Sequence, residues 1–562
     1  MTTLDWTFYF ALPIIAFIAI FAYQAYKMRQ ATLEKIRKSF GKKPSKKYYF
    51  EEFDNISHGF YLSENDGEYV DDITWNDLNM DQVIKDMDNT HSSFGQEALY
   101  KLLRTTNVSD EELSERERLM EYFTSHEDER VKLSYKFSGF GFARKMSIAD
   151  YIEYLGECPS KSCIPNICLM LLFFAALAYC LLVDAVGGVA FVLITAGINI
   201  SVYFKFKAEI ENYFMCVKYI FAMCNCAEHI ISLKSEGIKS YCDRMTKMLE
   251  ELDSVRSFSF IMSSSKGNIL EFVMESVRML THLDIVKFYS VVKTLNQKKS
   301  IVWEMYETLG YIEAMIAGAS YRAQLPYWSR PVFDEKGMNE YNAKELFHPL
   351  IENAVDNSII TKGSVLITGS NASGKSTFLR AAGINAILSQ TFNTALARSY
   401  RASKFRVYSS MALKDNLMNN ESYYMVEIKS LKRIMDAAEN VDFKHPVLCF
   451  IDEVLRGTNT IERIAASSQI LKRLSTTNTI CFAATHDIEL TSILENFFTN
   501  YHFSEEITDN DVKFNYKLET GRAVSRNAIK LLGLLGYKKE ILDRAAQSAK
   551  NFEETGIWKQ EN

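Results

Sequence analysis

Three clusters of residues in the second half of the chain have the types and spacing needed to handle phosphate. Gly369 is followed by four residues and then by Gly374-Lys375-Ser376, which gives G-x-x-x-x-G-K-S. Gly369, Ser370, Asn371, Ala372, Ser373, Gly374, Lys375, Ser376 and Thr377 are therefore expected to wrap an anion with backbone N–H groups at a helix N-terminus. Lys375 is expected to reach the β- and γ-phosphates, and the Ser376 hydroxyl to hold Mg2+. The second cluster is Asp452-Glu453. Asp452 is expected to support the Mg2+ shell and Glu453 to orient the attacking water. The third is His486, expected to sense the γ-phosphate from the end of a strand.

These side chains need a particular frame. The apolar runs Val365 to Thr368, Val447 to Ile451 and Thr479 to Thr485 read as buried central strands, each ending at one of the clusters. A helical pattern follows the first loop. Strands alternating with helices predict a parallel α/β sheet with the chemistry at its C-terminal edge.

The motifs TGSNASGKSTF, FIDEVLRGTNT and AATHDIEL resemble the nucleotide-binding motifs of the MutS family of mismatch-repair ATPases. Between them, Asn420-Glu421-Ser422-Tyr423-Tyr424-Met425-Val426-Glu427 is similar to that family's signature loop, which normally reads G-R-S-T-F-M-V-E. The resemblance implies ATP as the nucleotide, a dimer, and a contact from Ser422 to the γ-phosphate held by the other subunit. Phe347-His348-Pro349-Leu350 resembles the opening motif of the same domain, and residues 525–545 its closing helices. Residues 80–104 resemble the start of the MutS core, and residues 301–325 its last lever helix. In the family, levers of this kind carry a DNA-embracing clamp, which makes DNA an implied partner through this region. No separate segment rich in Lys and Arg marks such a clamp here.

The implied fold is an α/β P-loop NTPase domain of the ABC/MutS-like type, with a parallel sheet and flanking helices. An all-α core and lever region with transmembrane helices accompanies it. The expected divisions are a transmembrane anchor (1–25), a basic juxtamembrane segment and connector (26–75) and a helical core-like region (76–160). A transmembrane hairpin (161–206), a helical lever region (207–325), the ATPase domain (326–545) and a tail (546–562) follow.

The membrane reading rests on composition. Trp6 to Tyr23 is an uncharged apolar run, long enough to cross a bilayer. From Lys27 to Lys47 there are nine basic residues and one acidic residue, Glu34. Basic residues mark the cytoplasmic flank of a span, so the N-terminus is expected outside and the ATPase domain in the cytoplasm. The same segment could hold anionic lipid headgroups, with a DNA-binding arm as the alternative. The apolar runs from Ile167 to Val183 and from Val186 to Phe204 are separated only by Asp184-Ala185. They read as a hairpin with both ends cytoplasmic, giving three spans.

The net charge of −6 gives no global nucleic-acid footprint. Ten scattered cysteines without zinc spacing fit a reducing compartment and no metal other than Mg2+. The family's mismatch-reading N-terminal domain is expected to have no counterpart, and Asn420 stands where its signature loop has Gly. Two readings follow. One is a membrane-anchored, dimeric MutS-like ATPase acting on DNA. The other is an ABC-type module that moves its transmembrane helices without DNA, against which the lack of an LSGGQ-type signature counts. A non-catalytic interaction protein would not need the Lys375, Asp452 and Glu453 set.

Overall fold

The computed structural model describes the chain except residues 1–2, 49, 64–67, 160–161, 257–275, 335–338, 371–372, 412–422, 441–444, 457, 508–511, 524–528, 530–531, 533–535 and 559–562. The chain forms two compact units.

The first unit comprises Met1–Glu64, Met87–Lys101 and Arg118–Gln324 and is helical throughout its described elements. Its long helices are α1 (Thr3–Ser39), α2 (Ile164–Leu182), α3 (Ala185–Ile231), α4 (Leu283–Gln297) and α5 (Lys299–Gln324). The expected run 6–23 lies inside α1, where Ile15, Phe17, Ile18 and Phe21 are exposed. Among the described residues, α2 and α3 are long and apolar enough to cross a membrane, and both are largely exposed over that stretch. Asp184 caps α3 by accepting from the N–H groups of Val186 and Gly187, which turns the chain tightly between the two helices. At Gly188 a Cβ would lie 2.3 Å from the Cα of Cys180, so only glycine allows the two backbones to pass this close. The second arm does not stop at Phe204. It continues as one 47-residue helix, about 70 Å long, whose later turns bury Val217, Ile220 and Cys224.

Two buried carboxylates tie this unit internally. Glu97 accepts from Ile148 N–H at 2.8 Å and Tyr306 O–H at 2.8 Å. Glu313 accepts from His91 N–H at 2.5 Å and from the Ser92 hydroxyl. Burial pushes their carboxyls up to about 8 and about 7 respectively.

The second unit comprises Asn65–Asp86, Leu102–Glu117 and Leu325–Asn562. It therefore takes in two segments expected in the connector (26–75) and the helical core-like region (76–160). Its larger sheet has the order β10-β9-β4-β8-β7-β6, built from β4 (Ser364–Thr368), β6 (Arg406–Ser410), β7 (Val447–Asp452), β8 (Thr479–Thr485), β9 (Phe498–Ile507) and β10 (Val512–Thr520). All neighbours are parallel except β9 and β10. A four-stranded sheet of order β1-β5-β2-β3 contains β1 (Val332–Phe333), β2 (Tyr341–Leu346), β3 (Asn357–Thr361) and β5 (Ser399–Ala402).

Every residue of β4, β7 and β8 is buried, as expected for parallel strands covered on both faces. Alternation then sorts the side chains. Cys449, Ile451, Cys481 and Ala483 pack with Leu431 and Ile434 of α7 (Tyr423–Glu439) and with Leu471 and Leu474 of α8 (Thr460–Ser475). On the other face, the Phe450 and Phe482 rings lie 5.4 Å apart, and Phe378 of α6 (Lys375–Phe392) approaches Phe482. The helix Asp72–Asp77 covers the edge strand β6. Asp77 accepts from the Ser409 hydroxyl at 2.7 Å and from Met411 N–H at 2.9 Å.

Candidate active site

Strand register brings the three clusters together. Thr368 of β4 pairs with Thr485 of β8, and Asp452 of β7 pairs with Ala484. The C-terminal ends of three parallel strands thus finish level, beneath a cavity of about 820 Å³.

The loop after β4 turns through two left-handed glycines, Gly369 (φ +148) and Gly374 (φ +110), the second being the N-cap of α6. A Cβ at Gly369 would meet the Phe503 carbonyl oxygen at 2.9 Å, so glycine is required there. Lys375 is 5 % exposed and donates from Nζ to the carbonyls of Gly369 and Ser370, both at 2.8 Å. Burial pulls its ammonium down to about 8, against the opposing charges of Asp452 and Glu453. Ser373, Gly374, Ser376 and Thr377 also line the cavity. Ser370 instead donates to Glu505 of β9 at 2.9 Å. Asn371 and Ala372 lie outside the described residues.

Ser376 Oγ donates directly to Asp452 Oδ2. A hydroxyl and a carboxylate, both hard oxygen donors, meet at the cavity wall beside the loop after β4, and this pair fits Mg2+. Glu453 adopts a left-handed backbone (φ +61) and its N–H donates to the Ala484 carbonyl at 2.9 Å. This strained geometry turns the carboxylate toward His486, whose Nε2 lies 2.8 Å from Oε1. Arg456 Nε lies 2.7 Å from Oε2. The hydrogen bond from His486 holds the Glu453 carboxyl below its usual range; burial opposes this and the Arg456 charge adds to it. His486 Nε2 is also 3.4 Å from Lys375 Nζ.

The structure thus gathers Lys375, Ser376, Asp452, Glu453 and His486 around one cavity. Ser422 lies outside the described residues, as do Asn420 and Glu421 of the same loop. The last residue of that loop, Glu427, is buried and accepts from Arg456 N–H at 3.3 Å. His348 lines the cavity, accepts from Leu350 N–H through Nδ1 at 3.2 Å, and is driven down to about 4 by burial.

Several residues escaped sequence reasoning. Arg456 stands within the FIDEVLRGTNT motif, three residues after Glu453, so its spacing was available as a signal. Arg463 makes a two-pronged contact with Asp487, at 2.9 and 2.6 Å, which fixes the residue after His486. Tyr516 lines the cavity from β10 with a left-handed backbone (φ +54). Asn357 pins that bulge by donating to the Tyr516 carbonyl at 3.0 Å and accepting from Leu518 N–H at 2.7 Å. No local pattern announces Tyr516, because a register shift in the β9–β10 ladder puts it there.

Residues 365–553 match the family described as MutS domain V. The chain is 27 % identical over 274 residues, 47 % of its length, to a DNA mismatch repair protein MutS of Natronomonas pharaonis. It is 27 % identical over 283 residues to the DNA mismatch repair protein MutS of Thermotoga maritima, and 24 % identical over 315 residues to MutS protein homolog 4 of Homo sapiens. The matches span 31 %, 35 % and 32 % of those relatives. Residues 365–553 are thus similar to MutS domain V, and about half of the chain is similar to mismatch-repair MutS proteins, of which it spans about a third.

Proposed function

We propose that this protein is a membrane-held, MutS-like ATPase that binds and hydrolyses ATP as a dimer and couples the cycle to its helical region. The observation that carries this is the convergence of Lys375, Ser376, Asp452, Glu453 and His486 on one cavity at level strand ends. ATP phosphates replace the Gly369 and Ser370 carbonyls as the partners of Lys375. Ser376 and Asp452 hold Mg2+, which offsets phosphate charge when bound. Glu453 orients the attacking water and accepts its proton, while His486 and Arg456 keep that carboxylate ionised. Ser422 of the second subunit completes the γ-phosphate contacts.

Similarity to mismatch-repair proteins makes DNA the macromolecular partner of this reading. The exposed apolar surfaces of α1, α2 and α3 support three membrane spans, with the N-terminus outside, the ATPase unit in the cytoplasm, and Lys27 to Lys47 against anionic headgroups. The test is ATP turnover by the detergent-solubilised full chain, alone and with duplex, mismatched and branched DNA. Turnover that depends on Lys375 and rises with one of these DNAs supports the whole reading. Turnover indifferent to all three leaves an ATPase that moves its membrane helices without DNA. No turnover removes the enzymatic assignment.

A further inference from the structure

Buried polar side chains gather where the apolar hairpin joins the helical region. Asn166 of α2, Asn199 and Tyr203 of α3, and His282 are fully buried, and Asp284 is 4 % exposed. The tip of the hairpin is exposed, with Leu182 and Val186 more than four-fifths exposed. Thr195, nearer the tip, is also buried, but its hydroxyl bonds within its own helix, to the carbonyls of Phe191 and Val192.

Residues 280, 282 and 284, from one short segment on the helical side, hydrogen-bond to this cluster. Residues 276–281 are helical, His282 breaks the helix with a left-handed backbone (φ +53), and α4 begins at Leu283. This conformation is uncommon for a residue with a side chain. Asn199 Nδ2 donates to the Leu280 carbonyl at 3.0 Å. The imidazole spans both arms of the hairpin. Its Nε2 donates to the Asn199 backbone carbonyl at 2.9 Å, and its Nδ1 lies 2.8 Å from Asn166 Oδ1. Two residues on, Asp284 Oδ2 accepts from the Tyr203 hydroxyl at 2.9 Å.

A passive anchor needs only apolar packing. Directional bonds from residues 280, 282 and 284 to both arms fix orientation and register instead. With Nε2–H donating, Nδ1 accepts, so the Asn166 amide meets it as the donor. Asn199 Oδ1 is buried without a hydrogen-bond partner. Leaving such a group idle is costly. From the joint, α4 leads into α5, which continues in sequence into the ATPase unit at Leu325.

We propose that the 280–284 segment is a coupling joint, through which nucleotide-driven movement of α4 and α5 is passed to the membrane hairpin. This rests on the ATPase and membrane readings above. Its test is hydrogen exchange on the full chain in lipid nanodiscs, with and without a non-hydrolysable ATP analogue. In the wild type, peptides covering 276–290 and peptides covering 197–206 should change protection together. In His282→Ala and in Asn199→Leu, the change at 276–290 should persist while that at 197–206 falls roughly ten-fold, as for the loss of one or two interhelical hydrogen bonds. Tyr203→Phe removes a single hydroxyl and should give a smaller loss, which guards against a variant that merely misfolds. An equal response at 197–206 in wild type and all three variants overturns the joint. A response at 365–380 with none at 197–206 in the wild type also overturns it, while leaving nucleotide binding standing. No response at 365–380 overturns both.

Discussion

Arg456 Nε sits 2.7 Å from one carboxylate oxygen of Glu453, while His486 occupies the other at 2.8 Å. Glu453 is thus held from both sides, and its two partners come from different strand ends. Removing the carboxylate charge in Glu453→Gln should slow ATP turnover roughly 10²- to 10⁴-fold while ATP still binds. Single-turnover kinetics beside equilibrium binding would separate the two effects.

Arg456→Ala should move the acid limb of the turnover profile to higher pH. Glu453 is held below its usual range by His486 and by the Arg456 charge. A carboxylate loses its function as pH falls through its pKa, so without Arg456 that loss should begin at higher pH. A pH–kcat profile superimposable on the wild type would show that Arg456 does not act on Glu453.

ATP affinity should weaken above pH 8. Burial brings Lys375 down to about 8, so without nucleotide it loses its proton in the range where ATP needs it charged. The apparent Kd should rise by up to about ten-fold per pH unit beyond that point, because one proton is taken up with the nucleotide. Titration calorimetry in buffers of different ionisation enthalpy would count that proton. Lys375→Ala should abolish tight binding at every pH.

The first unit should lose stability as pH rises from 5 to 8. Glu97 and Glu313 titrate near 8 and 7 when folded and near 4.5 when unfolded, so folding retains protons that the unfolded chain releases. Their contribution is fully present below pH 4.5 and is lost as pH climbs through the folded values. Glu97→Gln should flatten this dependence in thermal melts. An unchanged slope would mean that the carboxyl is not the titrating group.

Two subunits should be needed for hydrolysis. Lys375→Ala protein still supplies Ser422, and Ser422→Ala protein still supplies Lys375. Co-expressed, they should recover part of the turnover that each lacks alone, since a mixed dimer contains one complete site. A mixture as inactive as its parts would argue against the contact between subunits. An epitope at the N-terminus should be reached by antibody on intact cells, and one at the C-terminus only after lysis; the reverse pattern would invert the topology.

The sequence by itself marked the residues that the structure brings to one cavity. G-x-x-x-x-G-K-S, the Asp452-Glu453 pair and the strand-terminal His486 are local patterns, because a glycine-rich loop and a strand end are built from neighbours in the chain. The apolar runs likewise marked β4, β7 and β8, since burial on both faces leaves no polar position. Composition marked the hairpin arms, but not that the second continues to Ile231 as one helix. Only the tertiary structure decided what lies between distant segments. Parallel register levels Thr368, Asp452 and Thr485 and so makes one site of three motifs. The β9–β10 irregularity places Tyr516, the helix Asp72–Asp77 joins the far edge of the larger sheet, and a helix break at His282 meets Asn166 and Asn199. These partners lie tens to hundreds of residues apart. Hydrogen bonds between them have no period and no spacing, and they exist only once packing has brought the segments together.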